Sequence, residues 1–111
     1  MEKQAVIIVF TEEFDEIAEE LMLALYVQDY FGFIEDAKNY VDKIYAFIKR
    51  NIAIFPARNT PDKHKHYGEK YLLYKANANT TWYIFFSQIE QVYFVQFITN
   101  NHTNFVADFN L

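Results

Sequence analysis

Aromatic and β-branched residues dominate the stretch from Lys70 to His102, and their distribution predicts three consecutive strands. We expect these strands at Lys70–Ala76, Thr80–Phe86 and Gln91–Thr99. The turns fall at residues 77–79 and 87–90, and the first contains two asparagines, which tolerate left-handed backbone angles. Because such short turns join neighbouring strands, the three strands should form an antiparallel meander.

The alternation of polar and apolar residues assigns strand side chains to two faces of this meander. In the third strand, the polar side chain of Gln96 assigns the residues of its parity to the outer face, the face turned away from the core. These residues are Phe94, Gln96, Ile98, Asn100 and His102. In the first strand, Lys75 likewise assigns Tyr71 and Leu73 to the outer face. The alternate residues should face the core, namely Leu72, Tyr74, Tyr93, Val95 and Phe97.

Upstream of the meander, the pattern predicts a strand followed by two amphipathic helices. Residues 5–10 (AVIIVF) form a short apolar run that should join the same sheet. Thr11 is the expected N-cap of a first helix that ends near Asp29, and a second helix is expected at Glu35–Asn51. Apolar residues recur at helical spacing in both: Phe14, Ile17, Leu21, Ala24 and Leu25 in the first, and Ala37, Val41, Ile44 and Ile48 in the second.

These elements predict a single α+β domain spanning residues 1–111. The short link between the helices implies an antiparallel hairpin, which should cover one face of a sheet of about four strands. Residues 56–69 are expected to form the one long irregular segment, because they contain two prolines and Gly68. This segment also carries Arg58, Lys63 and Lys65, so it is the most basic local patch.

Charge is unevenly distributed along the chain, although the net total is only −5. Residues 1–36 hold ten acidic residues and one basic residue (−9), whereas residues 37–111 hold nine basic and five acidic residues (+4). The acidic total argues against general nucleic-acid affinity, but the second half alone does not. The chain has no cysteine and no apolar run near the ~20 residues of a membrane span, so we expect a cytoplasmic protein without a membrane partner.

Four stretches follow one another in a characteristic order: the strand VIIVF, the run EDAKNYVDKIYAFIKRNIAIFP, the segment GEKYLLYKANANTTWYIFF and the segment FITNNH. In this order they resemble the RelE/ParE toxin superfamily of bacterial type II toxin–antitoxin systems, over nearly the whole chain. The branch that they resemble most is that of the plasmid stabilisation proteins. The resemblance implies a toxin without a cofactor that is neutralised by a cognate antitoxin encoded nearby. Its target would be messenger RNA in the ribosome or DNA gyrase, and its oligomeric state, a dimer included, stays open.

Metal-independent RNA cleavage, the activity of RelE-type members, needs a group that transfers protons and positive charge that stabilises the phosphorane. His102 is the candidate acid or base because histidine titrates near neutral pH, and Lys75 and Lys70 are the candidate phosphate-binding charges. The remaining candidate contacts to RNA or to another target are Arg58, Lys63, Lys65, Trp82, Asn100 and Asn101.

The chain departs from the RelE pattern at the positions that matter for catalysis. RelE-type catalysis uses arginines of the meander, but this sequence has no arginine after Arg58. Trp82 and His102 stand about where the family commonly has arginine. A simpler interpretation is that His102 caps a strand end and that the lysines are solvated. His64 and His66 lack further metal ligands at matching spacing, so no metal site is predicted.

An aromatic stripe on the outer face is the candidate antitoxin-binding surface, because contiguous apolar patches usually mark interfaces. Its residues are Tyr71, Trp82, Phe94 and Ile98. The alternative is that the chain's own C-terminal tail, residues 103–111, covers them. Three hypotheses remain: a ribosome-dependent endoribonuclease, a gyrase inhibitor that acts by binding, and a degenerate family member that only binds an antitoxin.

Overall fold

A computed structural model describes residues 5–27 and 34–102, and within these ranges the chain forms two α-helices and five strands. In chain order the elements are β1 (Ile7–Phe10), α1 (Glu12–Val27), α2 (Ile34–Asn51), β2 (Arg58–Asn59), a 3₁₀ helix (Asp62–Tyr67), β3 (Lys70–Lys75), β4 (Thr81–Ile89) and β5 (Val92–Asn100). The prediction of an α+β fold is therefore confirmed. The segment expected to be irregular contains β2 and the 3₁₀ helix.

The strands form one mixed sheet in the order β1-β5-β4-β3-β2. β3, β4 and β5 are the predicted antiparallel meander, and β1 adds to its edge parallel to β5. The sheet has five strands rather than about four, because Arg58 and Asn59 pair with Tyr71 and Lys70 at the opposite edge. β4 continues to Ile89, so Ser87 and Gln88 belong to a strand, and Glu90 makes the turn with a positive φ of 54°.

Both helices pack on the same face of the sheet. Thr11 caps α1 as predicted, because its Oγ1 accepts a hydrogen bond from the Phe14 N–H at 3.2 Å. Near the start of α1, Asp15 accepts a hydrogen bond from the Tyr45 hydroxyl in the second half of α2, so these parts of the two helices pack together. Ala18, not Ala24, completes the buried stripe of α1. The side chain of Leu25 and the expected helix end near Asp29 lie outside the described part of the chain.

The sheet separates two apolar clusters. The larger one lies between the helices and the sheet and includes Phe14, Val41, Ile44, Ile48, Leu72, Ile84, Phe86, Tyr93 and Val95. The smaller one lies on the outer face, where Tyr71, Tyr83 and Phe85 are buried and Tyr67, Leu73 and Phe97 pack against them. Alternation thus assigned β3 correctly, with Leu72 and Tyr74 on the helix side and Tyr71 and Leu73 on the outer side.

A β-bulge in β5 overturns the assignment of the second half of that strand. Phe86 pairs with Val95 and Phe85 pairs with Phe97, so Gln96 is an extra residue without a partner of its own in the register. After the bulge the parity is reversed. Ile98 is therefore buried on the helix side and Phe97 packs on the outer face, the opposite of the prediction.

Candidate functional site

The chain's own basic segment covers part of the outer face. The 3₁₀ helix brings the Tyr67 ring against Phe97, with ring centroids 4.2 Å apart and planes inclined by 20°. Tyr67 also contacts Phe85, and the ring centroids of Phe85 and Tyr71 are 5.7 Å apart. The 3₁₀ helix therefore covers Phe85 and Phe97 on the outer face, while Lys63, Lys65 and His66 of that segment remain exposed.

Gly68 allows this segment to approach the sheet. A Cβ atom at this position would lie 2.7 Å from the backbone nitrogen of Phe86 and 3.0 Å from the Cβ of Phe85, both closer than van der Waals contact permits. Its φ of +156° also lies in a range that L side chains rarely adopt. Only glycine therefore lets the chain leave the 3₁₀ helix across β4 and enter β3.

Trp82 lies on the helix side of the sheet, so its predicted place on the outer face is wrong. Its side chain is only 5% exposed, and its Nε1–H donates a hydrogen bond of 2.9 Å to the Tyr40 hydroxyl of α2. The two rings meet edge-on, with centroids 6.4 Å apart. A residue held in this way between sheet and helix has no face with which to stack an RNA base or to anchor an antitoxin.

The predicted antitoxin stripe is consequently divided between the two faces. Trp82 and Ile98 belong to the helix-side cluster, whereas Tyr71 is buried in the outer cluster. Phe94 lies on the outer face by alternation with Tyr93 and Val95, and it is half-buried. These four residues do not form one surface. Whether residues 103–111 cover any of them lies outside the part of the chain that the structure describes.

The Asn-Asn-His segment, residues 100–102, begins at the last residue of β5 and forms hydrogen bonds to the neighbouring β3–β4 turn. Asn101 accepts a hydrogen bond from the Thr81 N–H and donates one to the Asn79 carbonyl, both at 3.0 Å. The exposed His102 ring places Nε2 3.1 Å from the Thr80 hydroxyl, and the Asn100 side chain accepts a hydrogen bond from the His102 N–H. These contacts match the simpler interpretation of His102 as a residue that fastens a strand end.

The candidate cations are spread along the sheet. Lys75 pairs with Thr81 at the same end as His102, whereas Lys70 pairs with Phe86 at the other end of β3. Five residue steps along the strand separate the Cα atoms of the two lysines by about 17 Å. Both side chains are exposed, and neither packs under the helices, as predicted for Lys75. His102, Lys75 and Lys70 therefore do not come together around one reacting group.

Arg58 lies on the edge strand β2, opposite Tyr71, and it is exposed. Its positive charge affects the pKa of Tyr83 in the buried outer cluster. Burial, followed by the neighbouring Tyr71, raises the pKa of the Tyr83 phenol, and the positive charge of Arg58 opposes that shift. Tyr83 is thus a neutral group at physiological pH.

The structure adds a feature that the sequence did not suggest, a cavity of about 230 Å³ on the outer face beside Arg58. Phe55, Pro56, Tyr71 and Leu73 supply its apolar walls, and Arg58 supplies a charged group. A turn over residues 52–55 follows α2, and Phe55 lines the cavity together with Leu73 of β3. The periodicity of α2 stops before this point, so no sequence pattern could have joined residues 55–58 to residues 71–73.

Comparisons with known proteins found no matching family model, no matching curated protein and no matching solved structure. Among the described residues, no group of three or more His, Asp or Glu side chains could hold a metal ion. His64 is buried beside Tyr67 and His66 lies against the same ring, so the two histidines contribute to ring packing. Neither described helix is long and apolar enough to cross a membrane.

Proposed function

We propose that this chain is the toxin component of a RelE/ParE-like bacterial toxin–antitoxin pair, and that it acts by binding a protein target and not by cutting RNA. The observation that carries the second part is the separation of Lys70, at one end of β3, from Lys75 and His102 at the other end. The residue that transfers the proton and the positive charges that stabilise the phosphorane must all act at one phosphate group. Lys70 and Lys75 lie about 17 Å apart along β3, so they cannot serve one phosphate group together.

The toxin part of the proposal is supported by the order and arrangement of the elements. A first strand, a helix pair on one face, a basic segment and a three-strand meander follow one another as the resemblance implies. A binding function is favoured further because Trp82, the candidate for base stacking, is 5% exposed and bonded to Tyr40. DNA gyrase is the protein target that the ParE side of the resemblance suggests.

The test is inducible expression of the chain alone in a bacterial host. We expect growth arrest with intact messenger RNA, and relief of the arrest when the product of the adjacent gene is co-expressed. The purified chain should inhibit DNA supercoiling by gyrase in vitro. A control variant that combines His102→Ala with Lys70→Ala should arrest growth as well as the original chain does.

Two outcomes would overturn the proposal in different ways. Cleaved messages that disappear in the His102→Ala and Lys70→Ala variant would show that the chain is a nuclease and that the binding mechanism is wrong. Normal growth at a verified level of folded protein would show that the chain is not a toxin. A chain that binds the adjacent gene product but arrests nothing would then be a degenerate partner-binding member.

A further inference from the structure

An exposed apolar corner lies where α2 leads into β2. Ile54 is 77% exposed and Phe55 is 44% exposed, and the two are adjacent in the chain. The Phe55 ring meets the Phe47 ring edge-on, with centroids 5.5 Å apart. Phe55 also lines the 230 Å³ cavity described above. Exposed apolar side chains beside a preformed cavity are characteristic of a surface that is covered in a complex.

The size of the cavity limits what it can receive. Small-molecule sites usually have volumes of about 300–1,000 Å³. At about 230 Å³ this cavity is smaller than that range, but it can hold one large apolar side chain. Its walls are suited to such a guest, because Phe55, Pro56 and Leu73 present only carbon atoms from their side chains. The cavity therefore fits an anchor residue of a partner chain better than it fits a free metabolite.

Charge defines the partner further. Arg58 lines the cavity, and residues 56–69 carry three basic and two acidic residues, a net charge of +1. Arg58, Lys63 and Lys65 are all exposed. A guanidinium group binds carboxylates through paired hydrogen bonds and favours them strongly as partners. Helix α1, which carries six acidic residues and no basic residue, would instead repel an acidic partner from the helix side.

We propose that the cavity between Phe55 and Leu73 is the anchor site for an acidic partner segment, which inserts one large apolar side chain and places a neighbouring carboxylate on Arg58. This inference rests on the proposed binding function for the identity of the partner, an antitoxin segment. The site itself can be tested without that partner. This anchor site replaces the predicted stripe of Tyr71, Trp82, Phe94 and Ile98, which is divided between two faces. Its own residues lie around one cavity.

The experiment titrates the ¹⁵N-labelled chain with a capped tetrapeptide of sequence Glu-Asp-Phe-Glu and follows the backbone amide shifts. We expect saturable shifts centred on Arg58 and Leu73, and a dissociation constant at least about fivefold higher for the same peptide with alanine in place of phenylalanine. Arg58→Gln should weaken binding by about fivefold or more, whereas Arg50→Gln, an exposed arginine at the end of α2, should not.

A space-filling variant tests the cavity directly. Leu73→Trp should fill the cavity and abolish the amide shifts, while circular dichroism shows that the fold is retained. If Leu73→Trp does not fold, Leu73→Ala replaces it and should weaken peptide binding at least about threefold. Equal binding of the alanine peptide, shifts centred on α1, or undiminished binding by a folded Leu73→Trp variant would each overturn the site. Concentration-dependent self-association that Leu73→Trp removes would show that a second copy is the occupant, which also overturns it.

The failure of this inference can be told apart from the failure of the proposed function. If the chain does not arrest growth but the tetrapeptide binds as described, the toxin function is wrong and the anchor site stands. If growth arrest occurs, and the adjacent gene product relieves it equally well in the Leu73→Trp variant, the toxin function stands and the anchor site is wrong.

Discussion

The contact between Trp82 and Tyr40 provides the sharpest test of where Trp82 lies. Trp82 is 5% exposed and donates a hydrogen bond to the Tyr40 hydroxyl at 2.9 Å. Replacing a buried tryptophan by alanine typically costs about 3–5 kcal/mol of unfolding free energy, because both the burial and the packing are lost. An exposed interface residue would change stability by only about 0.5 kcal/mol. We therefore expect Trp82→Ala to destabilise the chain by about 3 kcal/mol or more.

A double-mutant cycle isolates the hydrogen bond from the packing. Tyr40→Phe keeps the ring but removes the acceptor of the buried Nε1–H, which should cost about 1–3 kcal/mol. In the Trp82→Phe background, which has no such donor, the same change should cost less. The difference between the two effects, the coupling energy, should be about 1 kcal/mol.

Urea unfolding followed by far-UV circular dichroism measures the original chain, Trp82→Ala and the three variants of the cycle. An unchanged m-value is the check on two-state behaviour. Because Trp82 is the single tryptophan, its fluorescence provides a second probe for Tyr40→Phe. Ile89→Ala, at a position 65% exposed, is the surface control and should be nearly neutral. A loss below about 1 kcal/mol for Trp82→Ala, together with no effect of Tyr40→Phe, would show that Trp82 is not part of the core.

Three other perturbations test separate features of the structure. Gly68→Ala should cost about 2 kcal/mol in the same urea assay, because the added Cβ would lie 2.7 Å from the Phe86 nitrogen; an unchanged midpoint would contradict the close approach. Burial, then the hydrogen bond to Asp15 and the charges of Asp15 and Asp42, raise the pKa of Tyr45. The unfolded chain, with the ordinary tyrosine pKa of 10.0, thus loses its proton first, and unfolding free energy should fall as pH rises above that value. Tyr45→Phe should make the fall shallower, and an unaltered slope would refute the shift. His102→Ala should change stability by less than about 1 kcal/mol and leave growth arrest intact, whereas loss of arrest in a folded variant would restore His102 as a functional residue.

Local patterns predicted the elements of this fold well, because each depends on neighbours close in sequence. The N-cap at Thr11 and the stripe of α2 follow from hydrogen bonding and helical spacing within a few residues. Tight turns forced β3, β4 and β5 into a meander for the same reason. The strand β2 was missed because two residues between prolines carry no periodic signal, and pairing with β3 alone makes them a strand.

The candidate site was harder to predict, because alternation assumes an uninterrupted strand. The bulge at Gln96 inserts one residue without a glycine to signal it, and it moves Ile98 and Phe97 to the faces opposite to those expected. Trp82 lies in a strand that is apolar on both sides, so its direction could be decided only by the Tyr40 hydroxyl and the helices above it. The residues around the 230 Å³ cavity come from segments that no local rule connects.

The sequence by itself determined the class of fold, the start of α1, the bounds of α2 and the sense of the meander, since propensity, capping and turn length act over short distances along the chain. The tertiary structure alone decided which aromatic residues are covered, because the 3₁₀ helix folds back on the outer face through Gly68. It also decided that Lys70 and Lys75 lie apart and that Phe55, Arg58 and Leu73 lie together. A binding surface consists of residues that are neighbours in space, and their distances are set by packing and strand register, which no pattern along the chain records.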